Sequence, residues 1–99
     1  MAIRMQRSSG NVFTDMGFPR EEAAHLLIRT DLMIQLTGLI AERGLTQKQA
    51  AKALGVTQPR VSDLVRGRVE LFSIDTLVDM LSRLGVAVTL KTKRRARVA

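Results

Sequence analysis

The sequence contains no cysteine, no tryptophan and no tyrosine. Without cysteine, neither a disulfide framework nor a thiolate metal site can form. A single histidine, His25, removes the His-rich metal sites and leaves no second histidine to support a catalytic triad. It falls within a helical pattern and reads as an ordinary packing or surface residue. Three phenylalanines are the whole aromatic complement, few rings for stacking the unpaired bases of single-stranded RNA. Ser8, Ser9 and Ser62 have no neighbouring base constellation, so nucleophilic catalysis has nothing to work with. A cofactor-free non-enzyme is the expectation. Long apolar runs are missing too: residues 26–40 are interrupted by Arg29, Asp31 and Gln35, which argues against a membrane span. Arg4 and Arg7 are followed by no apolar run, so no signal peptide is read and a cytoplasmic location is expected.

What remains is one domain's worth of chain, 99 residues, with 45% hydrophobic and 25% charged residues, the balance of a globular protein. The net charge of +7 is unevenly placed. Residues 43–68 carry Arg43, Lys48, Lys52, Arg60, Arg66 and Arg68 against Asp63 alone, and the end of the chain adds Lys91, Lys93, Arg94, Arg95 and Arg97. Residues 15–42 and 69–90 are slightly acidic. Two basic segments on an acidic body point to a polyanionic partner, nucleic acid before an anionic membrane.

Along the chain, residues 1–10 lack periodicity and read as a flexible leader broken by Ser8, Ser9 and Gly10. Residues 11–14 suit a short extended piece. Pro19 with Glu21 and Glu22 marks a helix entry, and the helical pattern runs from Arg20 to Arg43, where Gly44 stops it. Thr30-Asp31 could cap a second helix, so this stretch is one bent helix or two. Thr46 caps a short helix to Leu54, Thr57 another to about Arg66, and Ser73 a third in which Ile74, Leu77, Val78, Leu81 and Leu84 share a face. Gly85 ends it, and Val86, Val88 and Leu90 then alternate as in a half-buried strand over residues 86–90. Met33 and Met80 read as core filler. The expected architecture is all-α, with five helices and one short C-terminal β-strand. Residues 11–90 form its domain and residues 91–99 a basic tail.

The main signal lies in residues 46–67. Two short helices that cross steeply need small residues at the contact, and Ala50 and Ala51 supply them. The turn between them needs positive φ, which Gly55 tolerates. Leu54 and Val56 plug the corner, while Val61, Leu64 and Val65 pin the second helix onto the first. Pro59, Ser62, Asp63 and Arg66 are left on the opposite face. That is the pattern of a helix-turn-helix, whose second helix enters a DNA major groove N-terminus first.

The series Thr-Gln…Ala…Leu-Gly-Val-Thr-Gln…Val-Ser…Leu…Arg-Gly across these residues resembles the lambda-repressor-like, or XRE-type, helix-turn-helix family. Ser9-Gly-Asn-Val-Phe-Thr-Asp-Met-Gly-Phe18, Glu42-Arg-Gly-Leu-Thr-Gln47, Gln58-Pro59 and Arg66-Gly-Arg68 look like its HigA-like antitoxin subgroup. The resemblance implies a five-helix DNA-binding domain. It further implies that Gln47 contacts a backbone phosphate and that Gln58 reads a base edge, for which bidentate pairing to adenine is the natural chemistry. Thr57 caps the second helix and is placed near phosphate, with Ser62 on the groove-facing side. Arg60, Arg66 and Arg68 are placed to hold phosphates at the groove's lip, fixing register rather than sequence. Asp63 departs from the family pattern: it either accepts from cytosine N4 or pairs with Arg60 or Arg66, and the ion pair is the favoured reading.

The expected function is therefore a sequence-specific transcriptional regulator of double-stranded DNA, the antitoxin of a toxin–antitoxin pair that represses its own operon. The expected partners are a second copy of the chain, an inverted-repeat operator and a cognate toxin. A stand-alone or phage-type repressor is the alternative, and an RNA-binding or adaptor protein using the basic tail a more distant one. Pairing of residues 86–90 with the same strand of a second subunit, supported by Leu81 and Leu84, is the expected dimer contact.

Overall fold

Asn11 opens the described part of the chain, residues 11–94 of the computed structural model. Its side chain accepts from Phe13 N–H at 2.8 Å and donates to the Ala23 carbonyl at 2.9 Å. This cap turns residues Val12–Asp15 into a single helical turn, α1, where an extended piece was expected. Phe13 and Phe18 meet edge to face, centroids 6.0 Å apart, and brace the two ends of the turn against each other.

Helix α2 runs unbroken over Arg20–Glu42. Thr30 and Asp31 do not start a second helix, because Leu26, Leu32, Met33, Leu36, Leu39 and Ile40 keep one buried stripe running through that point. Burial along a continuous stripe outweighs the capping preference of two polar residues. The count of five helices therefore stands, but with α1 supplying the fifth in place of a divided α2.

Helix α3 (Gln47–Leu54) and helix α4 (Gln58–Val65) form the corner, and α5 (Ile74–Arg83) closes the core. A 3₁₀ turn, Val69–Leu71, bridges α4 and α5. Ser73 caps α5, accepting from Thr76 N–H at 3.1 Å. The core gathers Leu36, Leu39 and Ile40 from α2, Ala50, Ala51 and Leu54 from α3, Val61 and Leu64 from α4, and Leu77, Met80 and Leu81 from α5, with Phe72 between. Arg43 ties the ends of α2 and α5 together, donating from Nη2 to the Leu84 carbonyl at 2.8 Å.

No strand forms among the described residues, so the expected strand over 86–90 is corrected. Val86 N–H bonds back to Leu81 O at 3.0 Å and its side chain is buried, while Val88 packs half-buried on the core. The alternation in sequence is thus real for two positions and is satisfied by docking side chains. A strand also needs a neighbour for its backbone, and the extended piece expected over 11–14 is instead the cap and helix of α1. Leu81 and Leu84 are buried inside the chain, at 0% and 6% exposure, and present no surface to a second copy. The leader expected over 1–10 and residues 95–99 of the tail lie outside the described residues. No helix among the described residues is long and apolar enough to cross a membrane.

Candidate nucleic-acid interface

The corner is built by short-range rules. Thr46 and Gln49 make a reciprocal capping box: Thr46 Oγ1 accepts from Gln49 N–H at 3.1 Å, and Gln49 Oε1 accepts from Thr46 N–H at 2.9 Å. That box starts α3 at Gln47 and leaves the Gln47 side chain exposed. Gly55 ends the helix at φ +70°, and Val56 N–H returns to Ala51 O at 3.0 Å. Ala50 and Ala51 are buried where α3 meets α4, the close contact that small residues permit.

The positive φ is what calls for glycine at position 55, since the neighbour a Cβ would meet is the movable end of a side chain. A Cβ there would stand 2.9 Å from Nη1 of Arg83, whose guanidinium reaches over the turn from the end of α5. Nothing in the linear pattern links these positions, and sequence reasoning missed Arg83.

Thr57 begins α4 with extended backbone, but its hydroxyl makes no capping hydrogen bond. Gln58 and Pro59 follow in the first turn, both exposed. Pro59 brings no N–H, and the unpaired donors and dipole of this helix end carry positive potential outward. Val61 and Leu64 are buried on α3 as expected, whereas Val65 is 50% exposed and does not pin the helix. Val65 lies one turn beyond Val61, rotated out of the narrow buried stripe of an eight-residue helix. Ser62 and Asp63 are half-buried beside that stripe, while Arg66 and Arg68 are exposed past the end of α4.

Arg60 is placed differently from its basic neighbours. Its guanidinium sits 4.0 Å above the Phe72 ring, and Nη1 donates to the Leu71 carbonyl at 2.7 Å. Asp63 forms an ion pair with neither Arg60 nor Arg66, which corrects the favoured pairing. The aromatic face and a carbonyl offer a planar guanidinium a better-matched seat than one carboxylate on the same helix.

The helix-turn-helix domain family matches over residues 12–93. The chain belongs to it. A solved structure named as an XRE family transcriptional regulator is 32% identical, with a TM-score of 0.68 over 79% of this chain and 90% of that one. No curated protein matches the chain. The helix-turn-helix of this family member thus occupies α3 and α4. Its exposed surface collects Gln47 at the start of α3, Thr57 and Gln58 at the start of α4, and Arg66 and Arg68 past its end, while Ser62 and Asp63 lie half-buried along α4. Lys48 and Lys52 add exposed positive charge on α3.

Proposed function

We propose that the protein is a sequence-specific DNA-binding transcriptional regulator, reading the major groove with α4. The observation that carries this reading is the exposed N-terminal turn of α4. It presents Gln58 outward on a corner whose apolar residues are buried behind it, with Arg66 and Arg68 exposed at the other end. A groove-reading helix needs that division between a locked inner face and a free polar outer face. The likeness to an XRE family transcriptional regulator supports the same reading.

In the finer form of the proposal, the chain acts as a homodimer on an inverted-repeat operator. It is the antitoxin of a toxin–antitoxin pair and represses its own operon. Residues 87–90 support the dimer: their backbone groups have no partner among the described residues, and Leu90 is 84% exposed. A second copy of the same segment satisfies both across a two-fold axis. Selection of duplexes by the purified chain from a random pool, followed by sequencing, tests the reading. An enriched inverted repeat that also occurs upstream of its own reading frame is expected. Enrichment of no sequence overturns the proposal. Co-expression with the neighbouring reading frame tests the antitoxin role, which fails if that frame's product does not arrest growth.

A further inference from the structure

The corner has less free charge than its sequence suggests. Arg60 is committed to Phe72 and the Leu71 carbonyl, and Arg43 to the Leu84 carbonyl. The exposed cations left around it are Lys48, Lys52, Arg66 and Arg68. A denser group lies further along the chain: Lys91, Lys93 and Arg94, with Arg95 and Arg97 following in sequence and no acidic residue after Asp79. Lys91, Lys93 and Arg94 are exposed, and their side chains make no hydrogen bond or ion pair with another described residue.

The point at which this basic segment leaves the core is fixed. Val86 N–H bonds to Leu81 O at 3.0 Å, the Val86 side chain is buried, and Val88 packs on the core. Just before them, the Leu84 carbonyl holds the Arg43 side chain. Arg43 ends α2 and is joined through Gly44 and Leu45 to Thr46, the cap of α3, and Leu45 also packs on the core. The basic segment therefore departs beside the connection that delivers α3 and its exposed Gln47. Chain from Val88 to Arg97 can extend roughly 30 Å, against one phosphate per ~3.4 Å along each strand of a duplex. Several phosphates lie within its reach.

We propose that residues 91–97 form a second DNA contact, holding backbone phosphates of the duplex that α4 reads. The proposal rests on the DNA-binding reading above. Ala96 is the only apolar residue of the segment, a composition suited to a phosphate backbone and poorly suited to a protein interface with a hydrophobic core. Phosphates carry no base identity, so this contact raises affinity for every duplex and leaves the choice of site to α4. The segment follows the residues proposed to join two copies, so a dimer brings two of them to one duplex.

The experiment uses the full chain, the duplex that the wild type selects from a random pool, and a shuffled duplex. The variant Lys91→Gln/Lys93→Gln/Arg94→Gln is expected to weaken both duplexes alike, by about tenfold or more at low salt. Its slope of log affinity against log salt is expected to fall by at least about one per subunit, with its sedimentation unchanged. Replacement by the other cation, Lys91→Arg/Lys93→Arg/Arg94→Lys, is expected to keep wild-type binding. The variant Arg20→Gln/Arg29→Gln, which removes charge from α2, is expected to keep the wild-type salt slope. An equal fall in slope per charge removed from α2 would mean a general effect of net charge and would overturn the proposal. Unchanged binding of both duplexes by the triple glutamine variant overturns it too and leaves the segment to an acidic protein surface. A loss confined to the selected duplex, or one accompanied by dissociation into monomers, counts against it equally. If the wild type selects no duplex, the DNA-binding reading falls first and this proposal with it.

Discussion

Gln58 and Arg66 leave the same helix with different chemistry, and their substitutions separate base reading from phosphate holding. An amide can pair with two atoms of one base, while a guanidinium beyond the helix end meets charge wherever it lies. Gln58→Ala is expected to cost about 1–3 kcal/mol on the selected duplex and little on a shuffled one. Arg66→Ala is expected to weaken both alike. Equal losses on both duplexes for Gln58→Ala would assign base reading to another residue. At Gly55 the positive φ is the demand, and the Arg83 guanidinium above it is the movable end of a side chain. Gly55→Val adds a branched side chain in a backbone region costing about 1–3 kcal/mol and also displaces Arg83. At about 4–8 °C per kcal/mol for a domain of this size, a thermal melt resolves the loss. An unchanged melt would mean that the turn tolerates a side chain.

At the scale of elements, the two threonines that open α3 and α4 differ in what they do. Thr46 shares a capping box with Gln49, whereas the Thr57 hydroxyl makes no such bond. Thr46→Ala is expected to lower stability by about 1 kcal/mol, and Thr57→Ala to leave the melt nearly unchanged. Equal melting shifts would contradict the assignment. The sequence pattern marks both threonines as caps, because it identifies residue types that are able to cap. It does not show that the second hydroxyl points elsewhere. Ala51 is legible in the same local way and is buried at the α3–α4 contact. Ala51→Leu is expected to cost about 1–3 kcal/mol by overpacking, visible in the same melts.

For the whole molecule, charge placement governs affinity. Arg66, Arg68, Lys48 and Lys52 are exposed around the corner, so a dimer covering about 6–10 phosphates is expected to lose affinity on the order of 10³–10⁵-fold between 50 and 200 mM salt. A binding constant that hardly responds to salt would contradict the interface. A chain ending at Gly85 tests the segment proposed to join two copies. It is expected to sediment as a monomer and to lose affinity for the inverted repeat. A dimer with full affinity would place the contact elsewhere.

The sequence by itself determined the helix-turn-helix corner and its boundaries. Those features come from rules acting over a few residues: the Thr46 cap, the small Ala50 and Ala51, the left-handed turn at Gly55, and the buried Val61 and Leu64. Tertiary structure alone decided the rest. Helix α2 passes through Thr30-Asp31 because a continuous stripe has a core to enter, and Val65 turns outward because the buried stripe of α4 is narrow. Residues 86–90 form no strand because backbone pairing needs a neighbour that the described residues do not supply. Arg60 is drawn from the expected groove face onto Phe72 and Leu71. Each of these outcomes depends on groups brought together only when the elements pack, and residue spacing carries no record of them.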